Sequence, residues 1–410
     1  MKTRNKILLA IIVTLNAIHC LAYDIEVGGL AYNVNEDNES VTLMDYVGNP
    51  DTLKCFVIPD YIVHADGIYP VTSSMINFYN KNVDLNEMYF GRNLKEIYPS
   101  SLKGISSVKH ITWNSISCEC YPIITGANTH NVLSAKDEIM YKGIAGLNTS
   151  EVESITIGDE VKSLPTASSP FLPFAKIQSL HIPASLTEGL DGSTFYSCLE
   201  LKEITVDENN TEYDSRVNCN AVVRTADNTL VLTCKSTHIP PTVTTISENA
   251  YLVNPFIKEV YIPSSINSIK SNAFRDCKEL EKLTIDVANP DEIELGYNVF
   301  GIHSIFTNQW EGVPVNTCKL YVPKGSAELY RQAAQWKEFA NIQEVAYTDP
   351  LGGDVDGSGM VDVEDVNAAV NIALKLSTAA DYPGNADLDG NGIVDVEDVN
   401  ALVNKILKLQ

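Results

Sequence analysis

The chain predicts a β-rich solenoid of stacked repeats followed by a small all-α module of two loop–helix units. Two observations carry this prediction. A six-residue phrase, apolar-x-x-apolar-x-apolar, recurs between about 50 and 325, with several steps of 23 to 25 residues. Two acidic twelve-residue loops, 33 residues apart, each run into a near-identical helix close to the C-terminus. A period in the first range marks supersecondary units that bury their apolar faces only against one another.

Taken in order, residues 1–22 read as a secretion signal. Lys2, Arg4 and Lys6 precede an apolar run from Ile7 to about Ile18, and Cys20-Leu21-Ala22 offers small residues for cleavage before Tyr23. The run is shorter than the roughly 20 residues a bilayer-spanning helix requires. No later stretch is long enough either, so a secreted, extracellular chain without a transmembrane segment is expected.

Residues 23–50 alternate like a hairpin and are expected to form an N-terminal cap. The repeats follow over 51–318: Leu53/Phe56/Ile58, Leu85/Met88/Phe90, Val108/Ile111/Trp113, Val152/Ile155/Ile157, Ile177/Leu180/Ile182, Leu201/Ile204/Val206, Ile257/Val260/Ile262 and Leu280/Leu283/Ile285. Each phrase supplies a short strand whose flanking apolar residues point inward. The residues between them (Tyr89, Thr112, Thr156, His181, Thr205, Tyr261 and Thr284) are then expected on an exposed sheet face. Insertions from Asn131 and Asn220 read as hairpins turning at Lys136-Asp137 and Asp227-Asn228. Residues 319–346 read as a C-terminal cap with one short helix, Ser326 being its N-cap candidate. Residues 347–351 form a linker.

The clearest pair of units is IPASLTEGLDGSTFYSCLELKEITV from Ile182 and IPSSINSIKSNAFRDCKELEKLTI from Ile262. Phe195, Cys198, Leu201 and Ile204 in the first match Phe274, Cys277, Leu280 and Leu283 in the second. This pattern resembles the BspA-like leucine-rich repeat of bacterial surface proteins, which implies a leucine-rich-repeat solenoid and a recognition or adhesion role.

The two loops run from Asp354 to Asp365 and from Asp387 to Asp398, and 354–376 against 387–409 gives 17 identities in 23. Oxygen-bearing side chains stand at loop positions 1, 3, 5, 9 and 12 with glycine at 6, the pattern a seven-coordinate Ca²⁺ needs from a tight loop. A helical apolar stripe follows each: Val366, Ala369, Val370, Ala373, Leu374, and Val399, Leu402, Val403, Ile406, Leu407. Asp349-Pro350-Leu351-Gly352-Gly353 before the first loop cannot be the entering helix of an EF-hand, and position 12 is Asp rather than Glu. A duplicated loop and exit helix of this kind resembles a type I dockerin, over 352–410. Carried over by position, the resemblance implies two Ca²⁺ ions. One falls to Asp354, Asp356, Ser358, the Met360 carbonyl, Asp362 and Asp365. The other falls to Asp387, Asp389, Asn391, the Ile393 carbonyl, Asp395 and Asp398. It also implies docking to a cohesin-domain scaffold protein. The partner face would comprise Val363, Glu364, Asn371 and Lys375, or Val396, Glu397, Asn404 and Lys408. Val363-Glu364 and Val396-Glu397 replace the hydroxyl pair of the best-known clostridial dockerins, and being the same pair they allow either of two docking orientations.

The formal charge is −24, or −27 without the three basic residues of the leader. With no basic patch carrying interleaved aromatics, nucleic acid is not an expected partner. Cys198 and Cys277 read as small buried apolar residues, Cys219 and Cys234 as the pair best placed for a bridge, and Cys118-x-Cys120 lacks a second ligand pair for zinc. There is no H-E-x-x-H, G-x-S-x-G or phosphate-binding glycine loop, so no enzyme is expected. Two classes remain open: a recognition or adhesion surface, with a host or glycan ligand on its repeat face, and a carbohydrate-active component of a polysaccharide-degrading complex.

Overall fold

The computed structural model describes residues 23–65, 67–78, 82–98, 101–102, 104–120, 147–165, 171–173, 175–196, 198–251, 257–303, 310–345, 353–356, 361–382, 386–388 and 393–407. The leader, the hairpin at Lys136-Asp137 and the 347–351 linker lie outside them. Contacts fall into two compact units, Met1–Pro173 and Phe174–Gln410.

In the first unit Ile25–Val27, Leu30–Val34 and Val41–Tyr46 form the expected antiparallel cap. Its first turn uses Gly28 and Gly29 at φ 62 and 80, a left-handed backbone that glycine adopts without a Cβ penalty. The repeat phrases then form a parallel ladder of Cys55–Ile58, Val83–Phe90, Ile105–Trp113 and Ser154–Ile157. Phe56, Met88, Phe90, Ile111 and Trp113 are buried on one side, and Phe90 packs on Trp113 at 4.7 Å between ring centroids. A second parallel ladder, Gly67–Ser74 to Glu96–Ile97 to Glu119–Cys120, extends from the cap.

The second unit repeats the scheme. Ser179–Ile182 pairs with Glu203–Val206, and a four-strand parallel ladder joins Glu259–Ile262, Lys282–Ile285, Lys319–Pro323 and Asn341–Val345. The hairpin Ala221–Arg224/Thr229–Thr233 turns with Asn228 at φ 53 and leads into two-residue rungs at Thr245–Ile246, Ser268–Ile269 and Glu294–Leu295. Both sets of matched residues, Phe195/Cys198/Leu201/Ile204 and Phe274/Cys277/Leu280/Leu283, are buried as their register requires. Phe274 stacks between Tyr251 at 4.6 Å and Phe300 at 6.0 Å, and Phe300 meets Trp336 at 4.7 Å. This aromatic column runs from coil to coil into the C-terminal cap.

Four expectations need correction. Thr284 is only 4% exposed, because its register sets this short side chain between Tyr261 and Tyr321. Cys219 and Cys234 are free thiols. The first Sγ meets the carbonyl of Ala221 at 3.8 Å, the second that of Asn220 at 3.3 Å. Helix α1 (Ala327–Gln332) does start after Ser326, but the serine side chain makes no cap hydrogen bond. The Ala327 N–H donates instead to Glu344 Oε1 at 3.0 Å, from the neighbouring strand. Lastly, Leu374 and Leu407, at the ends of the two apolar stripes, are exposed.

The C-terminal module consists of α2 (Val363–Ala373) and α3 (Val396–Ile406), which pack against each other. Its core is Val355, Ala368, Ala369, Ala386 and Leu402, with Val361, Val366, Ile372 and Val399 against it. Ala368 and Ala369 of α2 and Leu402 of α3 share this core.

Candidate calcium loops and docking face

Each module helix begins in the same way. Asp362 takes the N-cap of α2, its side chain accepting the Glu364 N–H at 3.0 Å; Asp395 does the same for α3 with Glu397 at 2.9 Å. Three residues into each helix a carboxylate reaches back: Asp365 Oδ2 accepts the Asp362 N–H at 2.8 Å, and Asp398 Oδ2 that of Asp395 at 2.9 Å. This is a capping box built from aspartates, and it satisfies two backbone donors at each helix start.

The other oxygens of these carboxylates draw the front of each loop toward its helix. Asp365 Oδ1 accepts from Val355 N at 2.6 Å and Asp356 N at 3.0 Å, while Asp398 Oδ1 accepts from Leu388 N at 2.7 Å. Both carboxylates are fully buried. Asp354, Asp356 and Asp365 consequently each bring a carboxylate oxygen within 4.8 Å of the others. Burial pushes the Asp365 carboxyl above its ordinary range, and the charge of Asp356 adds to this against the pull of its backbone N–H partners. Asp362 is not in that trio. In the second loop Asp387, Ile393, Asp395 and Asp398 are described, whereas Ser358, Met360, Asp389 and Asn391 lie outside the described residues.

Of the expected docking residues, Val363 (59%) and Val396 (60%) are exposed, as are Glu364, Glu397, Lys375 and Asn404. Asn371 is half-buried, and Lys408 is outside the described residues. The end of α2 shows why Leu374 joins them. Lys375 turns left-handed at φ 59, its N–H bonding Ile372 O, and Leu376 N–H returns to Asn371 O at 2.8 Å. This Schellman stop leaves Leu374 64% exposed. Leu407, its counterpart on α3, is 59% exposed. Each leucine lies eleven residues beyond its valine, close to three helical turns, so the pair shares one face. In the sequence both leucines simply extend the apolar stripes.

With this geometry in hand, comparison with known proteins bears on the repeats. No curated protein matches the chain. The chain is similar to a solved leucine-rich repeat protein from Bacteroides ovatus ATCC 8483 (14% identity, 79% of this chain and 77% of that one, TM-score 0.42). It is also similar to a leucine rich cell surface protein from Faecalibacterium prausnitzii A2-165 (16% identity, 79% and 95%, TM-score 0.31). A third likeness is to the pneumococcal vaccine antigen PcpA (13% identity, 79% and 98%, TM-score 0.39). Residues 137–224 and 230–305 match the model of the BspA type leucine rich repeat region, in six copies. Over those two stretches the chain is therefore similar to BspA-type leucine-rich repeats.

Proposed function

We propose that the protein is a secreted, non-catalytic recognition or adhesion protein of the bacterial surface, whose leucine-rich-repeat face binds a ligand and whose C-terminal module is a calcium-dependent type I dockerin. The observation that carries the second half is the duplicated loop closed by a buried aspartate at position 12, with three carboxylates converging in the first copy. Converging carboxylates repel one another, and a hard divalent cation relieves that repulsion. Each oxygen of a carboxylate has two lone pairs, so Asp365 can accept its backbone N–H bonds and still face an ion.

On this reading Asp354, Asp356, Asp362 and Asp365, with Ser358 and the Met360 carbonyl, hold one Ca²⁺. Asp387, Asp389, Asp395 and Asp398, with Asn391 and the Ile393 carbonyl, hold the other. The ions fix each loop against its helix and so set the position of the docking residues. Leucine-rich repeats of the BspA type are typically non-enzymatic and often displayed at the cell surface, and among the described residues no helix is long and apolar enough to cross a membrane. The module would then tether the repeat surface to a cohesin-bearing scaffold.

Isothermal titration against a cohesin domain tests the docking. Changing Val363 and Glu364 to Ala leaves binding nearly intact, because Val396 and Glu397 present the same pair. Changing all four abolishes it while calcium uptake persists. Loss of binding in the single-half variant would refute the two-orientation mode.

A further inference from the structure

The sheet face of the second unit contains an open groove of about 580 Å³, lined by Glu259, Lys278, Glu281, Lys282, Lys319 and Tyr321 among others. This volume lies within the range of small-molecule sites. We propose that this groove, with the adjoining Tyr261, binds a neutral β-linked oligosaccharide. The proposal rests on the sheet being a recognition face and specifies its ligand.

Charge decides the chemical class. Lys278, Lys282 and Lys319 balance Glu259, Glu279 and Glu281 in the lining, with Lys282 Nζ 3.3 Å from Glu259 and Lys258 Nζ 2.8 Å from Glu281. An anionic ligand would meet the glutamates, and a cationic one the lysines. Hydroxyl groups both donate and accept, so a sugar uses ammonium donors and carboxylate acceptors side by side.

The tyrosines decide the shape. Tyr261, Thr284 and Tyr321 occupy one row of three adjacent strands. Strand spacing puts the Cα atoms of the two tyrosines about 9.5 Å apart, with the shielded Thr284 between them. That separation suits alternate rings of an extended β-1,4-linked chain. Lys282 Nζ lies over one face of Tyr321, 5.9 Å from the ring centroid, so a pyranose would set its electropositive C–H groups on the opposite face.

The test is titration of residues 23–410 with cellohexaose, and with polygalacturonate as an anionic control. Saturable cellohexaose binding is expected, little altered by high salt because the ligand carries no charge. Tyr321→Ala and Tyr261→Ala should each weaken it about tenfold or more, about the loss of one stacking contact. Tyr321→Trp should restore it with an unchanged melting temperature. Absent binding, equal binding by Tyr321→Ala, or salt-sensitive binding to polygalacturonate alone would overturn the proposal. Cohesin docking, measured on the same preparation, is independent of the groove: its failure would count against the proposed tethering, and not against the sugar site.

Discussion

Truncating Phe274 to Ala probes the repeat register most severely. The ring is fully buried and stacked on both sides, by Tyr251 at 4.6 Å and Phe300 at 6.0 Å. Removing a buried phenylalanine costs about 3–5 kcal/mol, and each aromatic pair adds about 0.5–1.5 kcal/mol beyond its buried area. The void cannot easily close, since backbone hydrogen bonds from Tyr251 N to Ala273 O (3.2 Å) and from Phe274 N to Val299 O (2.9 Å) hold the coils at fixed spacing. The loss should therefore lie at the upper end, about 5 kcal/mol, which is comparable with the whole stability of many domains. Phe274→Leu keeps most of the volume and should cost less than half as much. Urea unfolding followed by far-ultraviolet circular dichroism measures both. A loss below about 1 kcal/mol for Phe274→Ala, with an unchanged denaturant slope, would refute the assignment of this position to the core.

Two further outcomes follow from the same interior. Burial holds the His238 imidazole below its ordinary 6.5, so the unfolded chain takes up a proton that the folded chain refuses. The contribution of His238 is thus complete above pH 6.5 and declines as pH falls below it; His238→Gln should flatten this part of the melting profile, and an unaltered slope would contradict the burial. Burial also pushes the Cys198 thiol up to about 12 and the Cys219 thiol up to about 11. A thiol reagent should therefore label exposed Cys55 well before either, and mass mapping that found a Cys219–Cys234 bridge would contradict the geometry.

The sequence revealed most where one residue's neighbours are set by local period. The inward positions of the repeat phrases, the antiparallel cap, the turn at Asn228 and both module helices were legible for that reason. What it hid depends on contacts between coils. Rungs such as Ser268–Ile269 are two residues long and carry no periodicity of their own, so the second ladder in each unit was invisible. Thr284 alternates correctly and is still covered, because the tyrosines that flank it belong to other repeats. The cap of α1 comes from Glu344, seventeen residues downstream of Ala327, and no local motif announces it. In the module, Leu374 and Leu407 continue an apolar stripe, but Leu374 is turned out by the stop at Lys375 and Leu407 sits at the end of α3. The loop spacing suggested the carboxylates at position 12 as ligands; that they hold the loop backbone through N–H bonds it did not reveal.

Calcium titration tests the central claim most directly. Residues 23–410 should bind two Ca²⁺ ions by isothermal titration, Asp354→Ala should leave one site, and Asp354→Ala with Asp387→Ala should leave none. At a hundredfold excess over the dissociation constant, each ion should raise module stability by about 2.7 kcal/mol. Excess chelator should accordingly collapse the amide dispersion of 352–410 while the repeats stay folded. A module that keeps dispersed resonances in chelator, or a double variant that still takes up two ions, would contradict the account.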